Sequence, residues 1–209
     1  MSRRAGYQPK RRNSFQRKRK SVILLAAEGK NKTETLYFKS IPCSDYLIKI
    51  APGNYTDPVN MVQALYKEYE EMDLDVTLGD AAFCLVDSDT DPMKDRQLEI
   101  ADEKAPDKIH VVVSSPCFEV WYLCHFTGST RQYASNNDVL KALKQYIPEY
   151  RKDMPGLWKI IGDKTETAIR NAKFLQQQCV DKGLKQHTVA FTPSTEVYKI
   201  VELVLPKQG

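Results

Sequence analysis

The stretch 81–91 places the strongest constraint on how this chain can fold. It begins with six apolar residues and ends with three acids at alternate positions, Asp87, Asp89 and Asp91. An uninterrupted apolar run of this length is typical of a strand buried on both faces, as in the middle of a parallel sheet. In open α/β folds ligands bind at the carboxyl ends of such strands, and these acids follow that end of the predicted strand.

The spacing of these acids suggests a metal site. Side chains at alternate positions of an extended backbone point to the same side, with Cα atoms roughly 6.5–7 Å apart. Asp87 and Asp89 would then be able to share a hard cation such as Mg²⁺, with Asp91 as a secondary candidate. The alternative is a polar turn, because Asp, Ser and Pro are ordinary turn residues.

A second acid at the end of a second predicted strand favours the metal site. The apolar segment 21–27 is the first predicted strand, and Glu28 and Gly29 follow it directly. Glu28 therefore occupies the same kind of position as Asp87, and the glycine would permit a close approach of the backbone. We expect Glu28 to meet Asp87 and Asp89 around a shared ion.

Two further glutamates are secondary candidates. Glu34 lies in the first turn of a helix predicted to begin near Thr33, and Glu119 lies near the start of a buried helix predicted to be capped by Ser115. Each could face the acidic cluster. Each could equally complement the dipole of its own helix, and the sequence leaves both alternatives open.

The order of predicted elements indicates an α/β fold. Predicted strands at 46–51 and 108–113 alternate with helical segments, which is typical of a Rossmann-like, mainly parallel sheet. We interpret the charged helix within 92–105 as a solvated crossover without a special role. A last strand is predicted at 187–191, followed by a helix with Pro193 at its first position. No Gly-x-Gly-x-x-Gly or P-loop pattern occurs, which argues against dinucleotide and P-loop sites.

Composition indicates the cellular compartment in which the protein folds. The chain has no apolar run near 18 residues, and its first twenty residues contain no apolar segment, so we expect a soluble cytoplasmic protein without a signal peptide or membrane contact. Its five cysteines form no Cys-x-x-Cys pair, which argues against zinc and favours reduced thiols.

The positive charge is concentrated at the start of the chain. Residues 1–20 hold nine Lys and Arg residues and no acid, whereas the rest holds 22 basic and 27 acidic residues, a net charge of −5. We predict a disordered basic arm that binds nucleic acid. A solubilising tail or a contact to an acidic partner protein is the alternative. The candidate nucleic-acid contacts are Arg11, Arg12, Arg17, Lys18, Arg19 and Lys20 in the arm, and Lys30 and Lys32 beyond it.

Four stretches, taken in this order, resemble the RloB-like family, and together they span roughly residues 21–205. The third stretch is the most specific part of the match. The stretches are Glu28-Gly29 with Lys32-Thr-Glu34 and Tyr37-Phe38; Val86-Asp87-Ser-Asp89; Ser115-Pro-Cys-Phe-Glu119-x-Trp121-x-Leu123-x-His125-Phe126; and Pro193-Ser-Thr195.

The resemblance implies a Toprim-related protein of bacterial restriction and anti-phage loci, often encoded beside an ATPase partner. It implies a Toprim-like core over 21–126, with a helical and strand elaboration over 127–209 packed on the same core. In that core, Glu28, Asp87 and Asp89 would hold Mg²⁺ or Mn²⁺. Tyr150 and Lys152 match a Tyr-x-Lys pattern of the family, in which the lysine could contact phosphate.

Residues and resemblance together predict a Mg²⁺-dependent nuclease that acts on RNA, tRNA in particular, or on DNA. Glu28, Asp87 and Asp89 would be its catalytic and metal-binding residues. The first alternative is a non-catalytic nucleic-acid-binding or interaction subunit that acts with an ATPase. The second is nucleotidyl transfer of the primase type, which would use the same acids.

Overall fold

The computed structural model describes residues 19–29 and 32–205, with the side chain of Lys32 outside that description. Within these residues the chain forms one five-stranded sheet with helices on both faces. The strands are β1 (Ser21–Ala27), β2 (Tyr46–Ile50), β3 (Ala81–Asp87), β4 (Ile109–Ser115) and β5 (Ser194–Thr195). The predicted α/β class with a mainly parallel sheet is therefore confirmed.

Eight α-helices are present in the described part of the chain, along with two short 3₁₀ helices. They are α1 (Lys32–Ser40), α2 (Pro58–Glu71), α3 (Met93–Lys104), α4 (Glu119–Cys124), α5 (Asn136–Leu143), α6 (Trp158–Ile161), α7 (Thr165–Asp181) and α8 (Tyr198–Val204). None of the described helices is both long and apolar enough to cross a membrane.

The strand order places the two acid-bearing strands side by side at the centre of the sheet. The order is β2-β1-β3-β4-β5; the first four strands are parallel, and β5 pairs antiparallel with β4. The register pairs Ala27 of β1 with Leu85 of β3. Because Glu28 directly follows Ala27, it lies beside the end of β3, next to Asp87.

The sheet separates two apolar cores. Along β1, Ile23, Leu25 and Ala27 face one core, while Val22, Leu24 and Ala26 face the other. Helices α2 and α3 cover the second core, and α1, α4, α7 and α8 contribute to the first. The C-terminal helices thus pack on the same core as the N-terminal strands. All five cysteines are free, as expected for reduced thiols.

The predicted strand at 187–191 is wrong. This segment forms turns, His187 has a positive φ of 58°, and the strand that joins the sheet is the short β5 two residues after Thr192. His187 ties this segment to its neighbours through both ring nitrogens. Its Nδ1 is hydrogen-bonded to Asp102 Oδ2 of α3 (2.7 Å), and its Nε2 to Glu196 Oε2 directly after β5 (2.9 Å). The closing helix begins at Tyr198, and Pro193, which was predicted as its first residue, instead precedes β5.

The predicted cap at Ser115 is also wrong. Ser115 is the last residue of β4, where it pairs with Ser194, and its side chain receives a hydrogen bond from Ser88 Oγ at 2.7 Å. Three residues separate Ser115 from helix α4, which begins at Glu119. The position directly before the helix is Phe118, which makes no capping hydrogen bond with its side chain.

Stability should fall as the pH rises through the titration of His187. Burial alone would lower the pKa of this histidine, but hydrogen bonds and charges from Asp102 and Glu196 raise it from 6.5 to about 9. A pKa raised on folding adds stability that is complete below the unfolded-state pKa of 6.5 and is lost as the pH rises through about 9. His187→Gln should remove this slope, a change of about 2 kcal/mol in the free energy of unfolding.

Urea unfolding at pH values from slightly acid to alkaline, followed by circular dichroism, measures the slope. His110→Gln is the matched control, because it makes the same substitution at an exposed histidine on β4. The control should keep the wild-type slope above pH 6.5, because burial lowers the pKa of His110 and its own titration lies below that pH. An unaltered slope in His187→Gln would show that this ion pair does not stabilise the fold.

Candidate metal and nucleic-acid site

The carboxyl ends of β1 and β3 bring Glu28 and Asp87 together. Glu28 Oε2 accepts a hydrogen bond from the backbone N–H of Asp87 at 3.3 Å. The turn after Glu28 is fixed by Gly29, which has a φ of 63° and donates its N–H to the carbonyl oxygen of Tyr55 at 2.7 Å. A left-handed φ of this kind is readily available to glycine. The sequence signal of an acid followed by glycine at a strand end therefore has a structural basis.

Asp89 reaches the same site, but not by the route predicted. Strand β3 ends at Asp87, and Asp89 has a positive φ of 52°, so the backbone turns instead of continuing as a strand. The turn is held by a hydrogen bond from the Asp89 N–H to the carbonyl oxygen of Pro116 (2.9 Å) and by one from Asn136 Nδ2 to Asp89 Oδ1 (2.9 Å). The extended two-residue spacing expected from the sequence is therefore incorrect.

A lysine that no sequence pattern marks as functional lies between the two acidic segments. Lys94 Nζ is 2.6 Å from Glu28 Oε1 and 3.7 Å from Asp89 Oδ2, and its side chain is only 11% exposed. Lys94 lies in the first turn of α3, the helix interpreted as a solvated crossover. That interpretation is wrong for this residue. The available signal was its place one turn after the Asp-rich segment, although a lysine there is also common on a solvated helix.

Glu34 and Glu119 extend the cluster. Burial raises the pKa of Glu34 from 4.5 to about 7, and the negative charge of Glu119 adds to this increase. Glu119 is buried and accepts a hydrogen bond from Tyr150 Oη at 3.2 Å. The structure therefore places both secondary candidates within electrostatic reach of the central acids.

The other four carboxylates of the cluster all act on Asp87. Burial, followed by the negative charges of Glu34, Glu119, Glu28 and Asp89, raises the pKa of its carboxyl well above the usual range. Burial also raises the pKa of Glu28, although the hydrogen bond and charge of Lys94 oppose that change. Close carboxylates favour the uptake of a proton or a cation, because either reduces their mutual repulsion.

Lys152 lies at the border of the cluster. Its Nζ is 3.7 Å from Glu119 Oε1, and the lysine side chain remains 57% exposed. The segment that carries it is tied to α1, since Thr33 Oγ1 donates a hydrogen bond to the Lys152 carbonyl oxygen at 2.7 Å. Lys152 is thus anchored by its backbone while its ammonium group is open to solvent.

Asp91 lies outside the cluster. Its Oδ1 accepts a hydrogen bond from the N–H of Met93 at 3.0 Å, so it helps start α3. Here the ordinary turn explanation holds, although Asp91 follows the same alternating spacing as Asp87 and Asp89. The exposed position of Asp91 makes it a useful control for the central acids.

Of the predicted basic contacts to nucleic acid, only Arg19 and Lys20 have side chains in the described part of the chain. Arg19 forms a two-pronged ion pair with Asp80 (3.2 and 2.9 Å) at the amino ends of β1 and β3, the opposite edge of the sheet from Glu28. Lys20 is exposed. Arg11, Arg12, Arg17, Lys18, Lys30 and the side chain of Lys32 lie outside the described residues.

The donor set fits a hard cation in charge and in chemistry. Carboxylate oxygens are the usual ligands of Mg²⁺, and five carboxylates here share the charges of Lys94 and Lys152. Over residues 19–29 and 32–205, however, no group of three or more His, Cys, Asp or Glu side chains is already arranged to hold a metal ion. The Lys94 ammonium group contacts both acidic segments instead.

Comparison with known proteins gives one match. The model of the RloB-like family, described as RloB-like protein, matches residues 23–204. Searches of curated proteins and of solved structures found no match. The matched range contains most of β1, all of β2 to β5 and every residue of the acidic cluster, and it covers most of the chain. The chain therefore belongs to the RloB-like family.

Proposed function

We propose that this protein is a divalent-metal-dependent nuclease with a Toprim-like core, and that its substrate is RNA, tRNA in particular, or DNA. The observation that carries the proposal is the meeting of Glu28 with Asp87 and Asp89. These residues come from strand ends that are about sixty positions apart in the chain. A fold gains no stability from concentrating buried carboxylates, so such a cluster favours a functional explanation.

In this proposal Glu28, Asp87 and Asp89 would hold Mg²⁺ or Mn²⁺. When bound, the ion would supply an activated water and would neutralise charge on the scissile phosphate. Glu34, with a pKa of about 7, is suited to accept or return a proton at neutral pH. Lys152, with its exposed ammonium group beside Glu119, is suited to bind a phosphate oxygen.

Lys94 would act as the resident cation of the metal-free site. Its ammonium group neutralises part of the charge of Glu28 and Asp89, which keeps the acids together before a divalent ion arrives. A divalent ion bound by the same carboxylates would have to displace this contact. Because the Lys94 side chain is long, it could then turn toward a substrate phosphate.

A second candidate function is a non-catalytic nucleic-acid-binding subunit that acts with a partner ATPase. The observation that favours it is the Lys94–Glu28 ion pair at 2.6 Å, which satisfies one proposed metal ligand without a metal. Both candidates include an ATPase partner and a role in bacterial defence against phage. These two elements rest on the family resemblance.

Removal of single carboxylates should separate the two candidates. Glu28→Gln, Asp87→Asn and Asp89→Asn should each reduce metal-dependent cleavage by more than about 10²-fold, because each loses part of the charge that holds the ion. The assay uses labelled tRNA and plasmid DNA with Mg²⁺ or Mn²⁺, and with EDTA as the metal-free reference. Asp91→Asn is the matched control and should retain activity, since Asp91 starts α3 outside the cluster.

Cleavage that survives in Asp87→Asn and in EDTA would point to a contaminating nuclease. Nucleic-acid binding without cleavage by the wild-type protein, alone and with its ATPase, would support the binding subunit. A loss of activity in Asp91→Asn as large as in Asp87→Asn would show that the assay reports general damage to this segment.

Lys94 provides a test that does not depend on cleavage. Without divalent ions, Lys94→Met should lower the free energy of unfolding by about 2 kcal/mol, because Glu28 loses a charged, mostly buried partner. Saturating Mn²⁺ should restore most of this loss, and it should stabilise the variant more than the wild type. Thermal unfolding with and without Mn²⁺ measures both effects.

Lys104→Met is the control, because it makes the same substitution at an exposed lysine in the last turn of α3. It should change stability by less than about 1 kcal/mol, with no additional response to Mn²⁺. If Mn²⁺ stabilised Lys94→Met no more than Lys104→Met, the ammonium group would not occupy the place of a metal ion.

A further inference from the structure

A cavity of 190 Å³ lies beside the acidic cluster, between α1 and the segment 150–157. Leu36 and Tyr37 form its wall on the α1 side, and Tyr150, Met154 and Leu157 form it on the other side. Its lining is thus largely aromatic and aliphatic. The mechanism proposed for the carboxylates makes no use of this space.

The cavity and the acidic cluster share two residues. Tyr150 lines the cavity and donates its hydroxyl to Glu119 at 3.2 Å. Lys152 also lines the cavity, and its ammonium group is 3.7 Å from the same carboxylate. A ligand that fills the cavity would therefore extend directly toward the acids.

Size and charge indicate the kind of ligand. A volume of 190 Å³ is below the roughly 300–1,000 Å³ typical of sites for drug-sized molecules, so it suits one planar ring system. Three basic residues surround this apolar space, namely Lys39, Arg151 and Lys152. An apolar ring attached to an anionic group matches this arrangement, and an unpaired nucleotide has both parts.

We propose that this cavity receives the base of an unpaired nucleotide, and that Lys152 binds the adjoining phosphate. Proteins that bind single strands combine positive charge along the backbone with aromatic contacts to the bases. The base would contact mainly Leu36 and Met154, because Tyr37 and Tyr150 also line the cavity but are only 1% and 2% exposed. Its phosphate would lie at the border of the carboxylate cluster. Base-paired nucleotides would not enter, because their bases are stacked and paired.

This inference deepens the proposed nuclease function and depends on it for the chemistry after binding. It makes the substrate single-stranded, or a loop or an extruded base in a folded RNA. It also fixes the cleavage position relative to one unpaired base, because the cavity and the acids share Tyr150 and Lys152.

Binding in EDTA tests the inference without any cleavage. Fluorescence anisotropy of the wild-type protein compares single-stranded hexanucleotides of RNA and of DNA with abasic backbones of equal length and charge. The intact strands should bind at least about 5-fold more tightly, the lower end of the range expected for contact between one base and aromatic side chains. The same sequence in a duplex should bind no better than the abasic backbone.

A substitution that fills the cavity provides the second arm. Leu36→Trp should reduce the affinity for intact strands to that for abasic backbones and leave abasic binding unchanged. Leu203→Trp is the matched control, because Leu203 is a helical leucine of similar exposure (37% against 39% for Leu36) that does not line the cavity. It should leave both affinities unaltered. Circular dichroism and thermal unfolding establish that both variants are folded.

Lys152→Gln provides a third arm at an exposed position. It should lower the slope of log affinity against log salt by about 0.7, the value expected for the loss of one phosphate contact on a single strand. Equal affinity for intact and abasic strands, or no effect of Leu36→Trp relative to Leu203→Trp, would overturn the inference. Base-dependent binding without any metal-dependent cleavage would keep the nucleotide site and reject the nuclease.

Discussion

The parallel pairing of β1 with β3 is the constraint on which the proposed site depends. Its register sets Ala27 opposite Leu85, so the residues that follow both strands emerge side by side. The pairing is held by backbone hydrogen bonds and by burial on both faces, with Ile23 and Leu24 packed into opposite cores. A shift of one residue would move every β1 side chain to the other core. The same change would carry Glu28 away from Asp87.

The fold brings together acidic side chains that repel one another. The sheet fixes Glu28 and Asp87 next to one another. Helices α1 and α4 bring Glu34 and Glu119 to the same place. The negative charges of these side chains therefore repel one another, and the backbone of the sheet cannot move to separate them. Burial, followed by that repulsion, raises the pKa of Asp87. Lys94 relieves part of it from α3. A cation beside these acids favours their ionised forms, and the proposed function assigns that place to Lys94 in the metal-free protein and to a divalent ion in the active one.

Sequence patterns predicted the strands and site residues that short stretches of the chain determine by themselves. Apolar runs located β1 to β4, and acids at strand ends located Glu28 and Asp87, because parallel strands bring their carboxyl ends to one edge. The role of Lys94 could not be predicted, since a lysine on a charged helix gives the same pattern whether it faces solvent or an acid. Asp89 lies in the site through a left-handed turn held by Asn136, a contact 47 positions away in the sequence.

The placement of Arg19 adds a geometric requirement to any account of nucleic-acid binding. Its ion pair with Asp80 fixes the end of the basic arm at the amino edge of the sheet, while the carboxylates lie at the other edge, about 20 Å away along the seven residues of β1. Among the described cations, Lys152 lies close to the acids, with its ammonium group 3.7 Å from Glu119 Oε1. A strand that contacts both regions would have to extend along the length of the sheet. Such a strand would span several nucleotides, so Arg19 and Lys20 would contribute affinity at a distance from the carboxylates.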